Sequence, residues 1–219
     1  MAETDPRPNP AGAGGMSIGR VLAVNVGTAL PLVVAGRRAR EAVVMSAIRK
    51  HPLSTLHHPI AVGVHRLGLA GDEQVDRSVH GGPERAVYAY PIEHYTWWNT
   101  RRRDAGVEES ERPLAFGAMG ENLTTQGLLE SALWVDDRLL IGDVELVVNA
   151  PRRPCYKFNA AMGYAHAARD MLESSFSGVY LGVIQPGVLR AGDAVILIPG
   201  PRDVPLNTLL HRNGRQISR

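Results

Sequence analysis

The single cysteine, Cys155, sits in the run Pro151-Arg152-Arg153-Pro154-Cys155-Tyr156-Lys157. A thiolate is the nucleophile and the soft metal ligand, and nearby cations lower a thiol's pKa below its free value of about 8.5. Cations and prolines crowd this thiol, so two readings stand side by side: a working sulfur, or the small buried hydrophobe that a lone cysteine usually is. Of 24 basic side chains only two, Lys50 and Lys157, are lysines. Where positive charge alone is needed, such a chain would carry arginine. A retained lysine marks a place for a compact ammonium that can give up its proton, which a guanidinium does not.

Three further clusters are marked by glycine. The first is Gly68-Leu69-Ala70-Gly71-Asp72-Glu73-Gln74. The second, His80-Gly81-Gly82-Pro83-Glu84-Arg85, allows close backbone approaches that a side chain would block, and can turn peptide N–H groups toward an anion. A plain chain reversal is its bland alternative. The third is Gly120-Glu121-Asn122-Leu123-Thr124-Thr125, where Asn122 has donor and acceptor capacity for a heterocycle edge and Glu121 could pair an arginine. Arg152 and Arg153 suit forked binding of phosphate, or form a solvated basic loop. No Cys-x-x-Cys or His-x-x-x-His pair is present, so a protein-only zinc site is not supported. One thiolate bonding a cofactor-borne metal remains open.

These residues need elements to position them. Residues 20–26 and 60–67 read as strands, and 31–48 as a hairpin turning near Gly36. Pro91 opens a helix over 91–103, with Ile92, Tyr95 and Trp98 on its apolar face. Residues 139–148 and 188–197 each contain a Gly-Asp turn leading into a β-branched run. Residues 160–174 read as one helix, and 207–211 as the start of a short one. Strands outnumber helices without alternating with them, which favours an α+β fold: a mostly antiparallel barrel with helices laid against it. Trp97 and Trp98 suit either a dimer surface or core packing.

At 219 residues the chain suits one domain, and a net charge of +2 does not argue for a nucleic-acid polymer or a membrane surface. No apolar run reaches spanning length. One cysteine excludes an intramolecular disulfide, which suits the cytoplasm. Residues 1–18 read as a disordered extension, 19–200 as the domain and 201–219 as a short tail.

Taken in order, Gly68-Leu69-x-Gly71-Asp72-x-Gln74, His80-Gly81-Gly82-Pro83-x-Arg85, Tyr90-Pro91-x-x-His94-Tyr95, Gly120-Glu121-Asn122-Leu123 and Pro151-Arg152-x-Pro154-Cys155-x-Lys157 resemble the MOSC-domain family, named for the C-terminal domain of molybdenum-cofactor sulfurases, in its stand-alone YiiM-like branch. The resemblance implies a β-barrel-rich fold and a pocket for molybdenum cofactor. It further implies reduction of N-hydroxylated compounds, including hydroxylaminopurine base analogues, with electrons from a flavoprotein donor. The family's Lys–His–Cys constellation falls on Lys50, His80 and Cys155, with Cys155 the metal ligand. Gly81, Gly82, Arg85, Glu121, Asn122, Arg152 and Arg153 are the expected cofactor-binding residues. A homodimer is compatible with this. Two other readings use the same thiol: a non-enzymatic carrier of the cofactor or of persulfide sulfur, and a Cys–His hydrolase.

Overall fold

Eleven residues, Met16–Val26, form the first and longest strand, β1. The computed structural model describes residues 15–35, 40–75, 81–108 and 110–211. After β1 come β2 (Leu30–Ala35), β3 (Glu41–Ser46), β4 (His51–Thr55), β5 (Val62–His65), β6 (Gly68–Leu69) and β7 (Val87–Pro91). Helix α1 (Tyr95–Asp104) and strands β8 (Leu123–Gln126), β9 (Arg138–Ile141) and β10 (Val144–Pro151) follow. The chain continues through α2 (Tyr156–Met162), α3 (Ala167–Ser174), β11 (Val179–Gln185), β12 (Gly187–Leu189), β13 (Ala194–Ile198) and α4 (Thr208–His211).

Seven strands close into a barrel in the order β1-β13-β9-β10-β11-β7-β8, with β8 returning to β1. All its pairings are antiparallel except β7–β8. The expected α+β, barrel-rich fold is therefore present. β4 extends the sheet beside β1. β5, β6 and β12 make a small side sheet, and β2 and β3 pair as the expected hairpin. The turn of that hairpin lies outside the described residues, as do residues 1–14. Met16 and Ser17, expected in the extension, instead pair with Leu197 and Ile196, so the domain begins earlier than 19.

β7 shows how the core is divided. All five of its residues are buried, because both of its faces are covered. Successive strand side chains point to opposite faces. Val87 and Ala89 join the barrel interior with Val21, Leu123, Leu146 and Leu181. Tyr88 and Tyr90 join an outer core with Trp98, Met119, Phe158, Met162 and Met171. Burying each such side chain fully contributes roughly 1.5–3 kcal/mol. Trp98 is fully buried, so that tryptophan packs the core rather than a dimer surface.

Three sequence expectations change. The helix expected over 160–174 is two helices, α2 and α3, separated at Gly163. This residue takes the left-handed conformation (φ 82°), and its N–H closes α2 on the Asn159 carbonyl at 3.0 Å. The Asn159 side chain then accepts from the Ala168 N–H at 2.8 Å in the first turn of α3. The two Gly-Asp turns also differ. Gly142 reverses β9 onto β10, whereas the Gly192 turn carries the chain from the side sheet (β12) into the barrel (β13). Pro91 ends β7, and a single 3-10 turn, Ile92–His94, leads into α1.

Candidate functional site

Between the barrel wall, the β2–β3 hairpin and the start of α2 lies an open cleft of about 710 Å³, mouth included. Cys155 lines it together with both lysines of the chain, Lys50 and Lys157. Cys155 is extended (φ −115°, ψ 176°) and stands as the N-cap residue of α2. Its carbonyl accepts from the Phe158 N–H at 2.9 Å, fixing the first turn.

Lys50 reaches the cleft from the residue before β4. Two glycines make room for it. A Cβ on Gly27 would lie 2.5 Å from the Ala47 carbonyl oxygen and 3.1 Å from Cγ of Lys50, and one on Gly117 would lie 2.7 Å from the Lys50 carbonyl oxygen. The Lys50 side chain is 8% exposed, and its ammonium donates to Oδ1 of Asp72, whose side chain is 2% exposed. Burial pulls the Lys50 pKa below its ordinary value, opposed by the negative charges of Asp72 and Glu121 and reinforced by Arg152. Asp72 also accepts from the Gly27 N–H at 2.8 Å and from Nδ2 of Asn122 at 2.9 Å. It was legible in the sequence only as part of a glycine-rich run.

Arg152 is buried, yet it lines the cleft. Its guanidinium lies 4.8 Å from the Tyr88 ring centroid and 4.9 Å from that of Phe158, and Nη1 donates to the Met119 carbonyl. Burial works against its charge, but Tyr88, Tyr180 and the Cys155 sulfur outweigh it, and the pKa lies above the ordinary arginine value. Burial raises the Tyr88 pKa, so this phenol keeps its proton, and it donates to the Ser177 carbonyl at 2.7 Å. Arg85 enters from the 3-10 turn Pro83–Arg85, 5.9 Å from the Tyr180 ring centroid.

The other expected residues divide. His80 lies outside the described residues. Gly81 and Gly82 stand ahead of the turn that delivers Arg85; Gly82 has a positive φ of 85°, which accounts for a glycine there. Neither is among the lining residues. Glu121 does not face the cleft. It is fully buried, and its carboxylate gathers the Gly117 and Met119 N–H groups (2.8 and 3.0 Å) and the hydroxyls of Thr124 (2.7 Å) and Tyr95. It organises the 117–124 loop instead of binding a ligand or pairing an arginine. Asn122 lines the cleft, and its amide bonds Asp72 and the Tyr88 N–H (3.1 Å), which braces that wall of the site. Arg153 is exposed and donates to the Leu209 carbonyl at 2.8 Å, away from the cleft lining.

Residues 76–196 match the model of the MOSC domain. The chain belongs to the MOSC-domain family. This MOSC-domain chain is 38% identical over 138 residues to YiiM of Escherichia coli (strain K12), covering 63% of this chain but only 59% of that protein. It is 31% identical over 172 residues to the uncharacterized YflK of Bacillus subtilis (strain 168), covering 78% of this chain and 70% of YflK. A protein of Gibberella moniliformis named "Reductase" is 33% identical over 137 residues, 61% of this chain and 23% of that protein. Among solved structures, YiiM of Geobacillus stearothermophilus superposes with a TM-score of 0.64 at 26% identity, covering 88% of this chain and 82% of that one. No helix among the described residues is long and apolar enough to cross a membrane.

Proposed function

We propose that this MOSC-domain protein binds molybdenum cofactor in the cleft through Cys155 and reduces N-hydroxylated compounds, such as hydroxylaminopurine base analogues, with electrons from a flavoprotein. The observation that carries the reading is the lining itself: one thiol among four cations, Lys50, Arg85, Arg152 and Lys157, against two carboxylates, Asp72 and Glu73. Among the described residues no three His, Cys, Asp or Glu side chains come together as a metal nest. A metal carried on an organic dithiolene and bonded once by protein sulfur needs no such nest, and Cys155 supplies that sulfur. The excess of cations suits the phosphate such a cofactor carries. The residues of the cleft thus fit the group. A relative named as a reductase supports the redox reading.

In this reading the bound group supplies two-electron chemistry at its metal. The chain supplies the rest. Cys155 holds the metal, Arg152 and Arg85 bind oxyanions, and Lys50 places a proton at Nζ inside the cleft. A cytoplasmic setting belongs to the same reading.

The test is elemental analysis of protein purified from a host that makes the cofactor, wild type beside Cys155→Ala. Molybdenum near one per chain, lost in the variant, is the expected result. No molybdenum in either folded sample would overturn the reading and leave the carrier of persulfide sulfur, detected as added mass on Cys155.

A further inference from the structure

We infer that Asp72 is a positioning residue that keeps Lys50 an ammonium inside the cleft, so that Lys50 can hand a proton to the oxygen leaving an N-hydroxylated substrate. This rests on the proposed reduction. Cleaving the N–O bond of R–NH–OH takes two electrons and two protons and releases R–NH2 and water. The electrons come from the reduced flavoprotein, and one proton must reach the departing oxygen. An ammonium can give it and be recharged from solvent; a neutral amine cannot.

The geometry sets Asp72 apart from an ordinary ion-pair partner. Its side chain is almost closed to solvent, at 2%. Asp72 lines the cleft beside Lys50, and because Oδ1 is held by the Gly27 N–H and Oδ2 by the Asn122 amide, the carboxylate cannot turn away from Lys50. Those contacts also come from three separate stretches of chain: the loop after β1, the loop before β8 and the segment before β4. Lys50 can spend one N–H on Asp72 and keep two for the cleft. The groups that act on Lys50 are Asp72 and Glu121, which favour its charge, and Arg152, which with burial opposes it. Glu121 is committed to its own loop donors, so Asp72 is the partner in direct contact.

The chain offers a direct test, because it has only two lysines. Protein labelled with 13C at lysine Cε gives two resonances, assigned by Lys157→Arg, and needs no cofactor. In wild type at neutral pH the Lys50 resonance must stand at the ammonium position; an amine position there overturns the inference without any variant. In Asp72→Asn the Lys50 resonance should titrate at least one pH unit lower, a tenfold or greater loss of proton affinity. Asp72→Glu should recover part of that loss. A folded Asp72→Asn with Lys50 titrating as in wild type overturns the inference. With cofactor-loaded protein, a reducing dye and a hydroxylamine substrate, the alkaline limb of kcat/KM should move down by the same amount in Asp72→Asn. If the resonance shifts but neither protein turns over, the pairing of Asp72 and Lys50 stands, while the proton-donor role fails together with the reductase reading.

Discussion

The guanidinium of Arg152 lies over two aromatic rings, 4.8 Å from the centroid of Tyr88 and 4.9 Å from that of Phe158. A flat, delocalised cation can stack on both rings while donating to the Met119 carbonyl, which a compact ammonium cannot do together. Arg152→Lys should therefore lose both ring contacts and leave the Met119 carbonyl poorly paired, at a cost of about 2–3 kcal/mol. Urea denaturation measures this; an unchanged midpoint would show that charge alone matters at this position.

Arg85 and Arg153 separate a ligand-facing cation from a bystander. Arg85 lines the cleft, while Arg153 is bonded to the Leu209 carbonyl outside it. Arg85→Ala should weaken pyrophosphate binding about tenfold, the scale of one charge-assisted contact, and Arg153→Ala should leave it within twofold. Isothermal titration reads both. Equal losses in the two variants would point to diffuse attraction by surface charge.

Gly117→Ala tests the fit around Lys50. The residue has a φ of 86°, and its new Cβ would press on the Lys50 backbone at 2.7 Å. The expected cost is about 1–2 kcal/mol of stability. Because the strain falls on Lys50, turnover of a hydroxylamine substrate by loaded protein should drop beyond what the lost fold explains. A stability loss with full turnover of the folded fraction would separate the glycine from the site.

Glu121 should leave a signature in pH. Burial outweighs its hydrogen bonds and raises its pKa above the ordinary 4.5. The folded protein then holds this proton to a higher pH than the unfolded chain. Stability from this group is therefore fully present below 4.5 and declines as pH rises through the raised folded value. Glu121→Gln turns an amide NH2 toward a backbone N–H that now donates, costing about 1–3 kcal/mol. That cost should be larger at pH 4 than at pH 8 in urea titrations. The opposite order would mean that the loop donors outweigh burial.

Much of this molecule is legible in its sequence where the signal is local. The apolar runs in β1, β10 and β13 mark strands, and the thiol and the scarce lysines mark the cleft. Gly163 was equally visible, but an alanine- and methionine-rich stretch around it reads as continuous helix until Asn159 is seen to bond both pieces. Arg152 and Arg153 are indistinguishable on paper; only the course of the short link between β10 and α2 decides which is buried. Glu121 resembles a ligand because its neighbours do, yet its partners are backbone groups that no side-chain pattern announces. Asp72 was passed over because its partner, Lys50, lies on another loop and meets it only when β1 and β4 pair.

The pairing of β1 with β13 has a consequence for how the chain is made. The barrel cannot shut until residues through Ile198 have been synthesised, so the contacts that complete it span most of the domain. Such high contact order slows folding. Until then the Met16–Arg20 edge of a nascent chain offers unpaired peptide groups to any neighbouring strand, and a ribosome stalled before β13 would hold an association-prone intermediate.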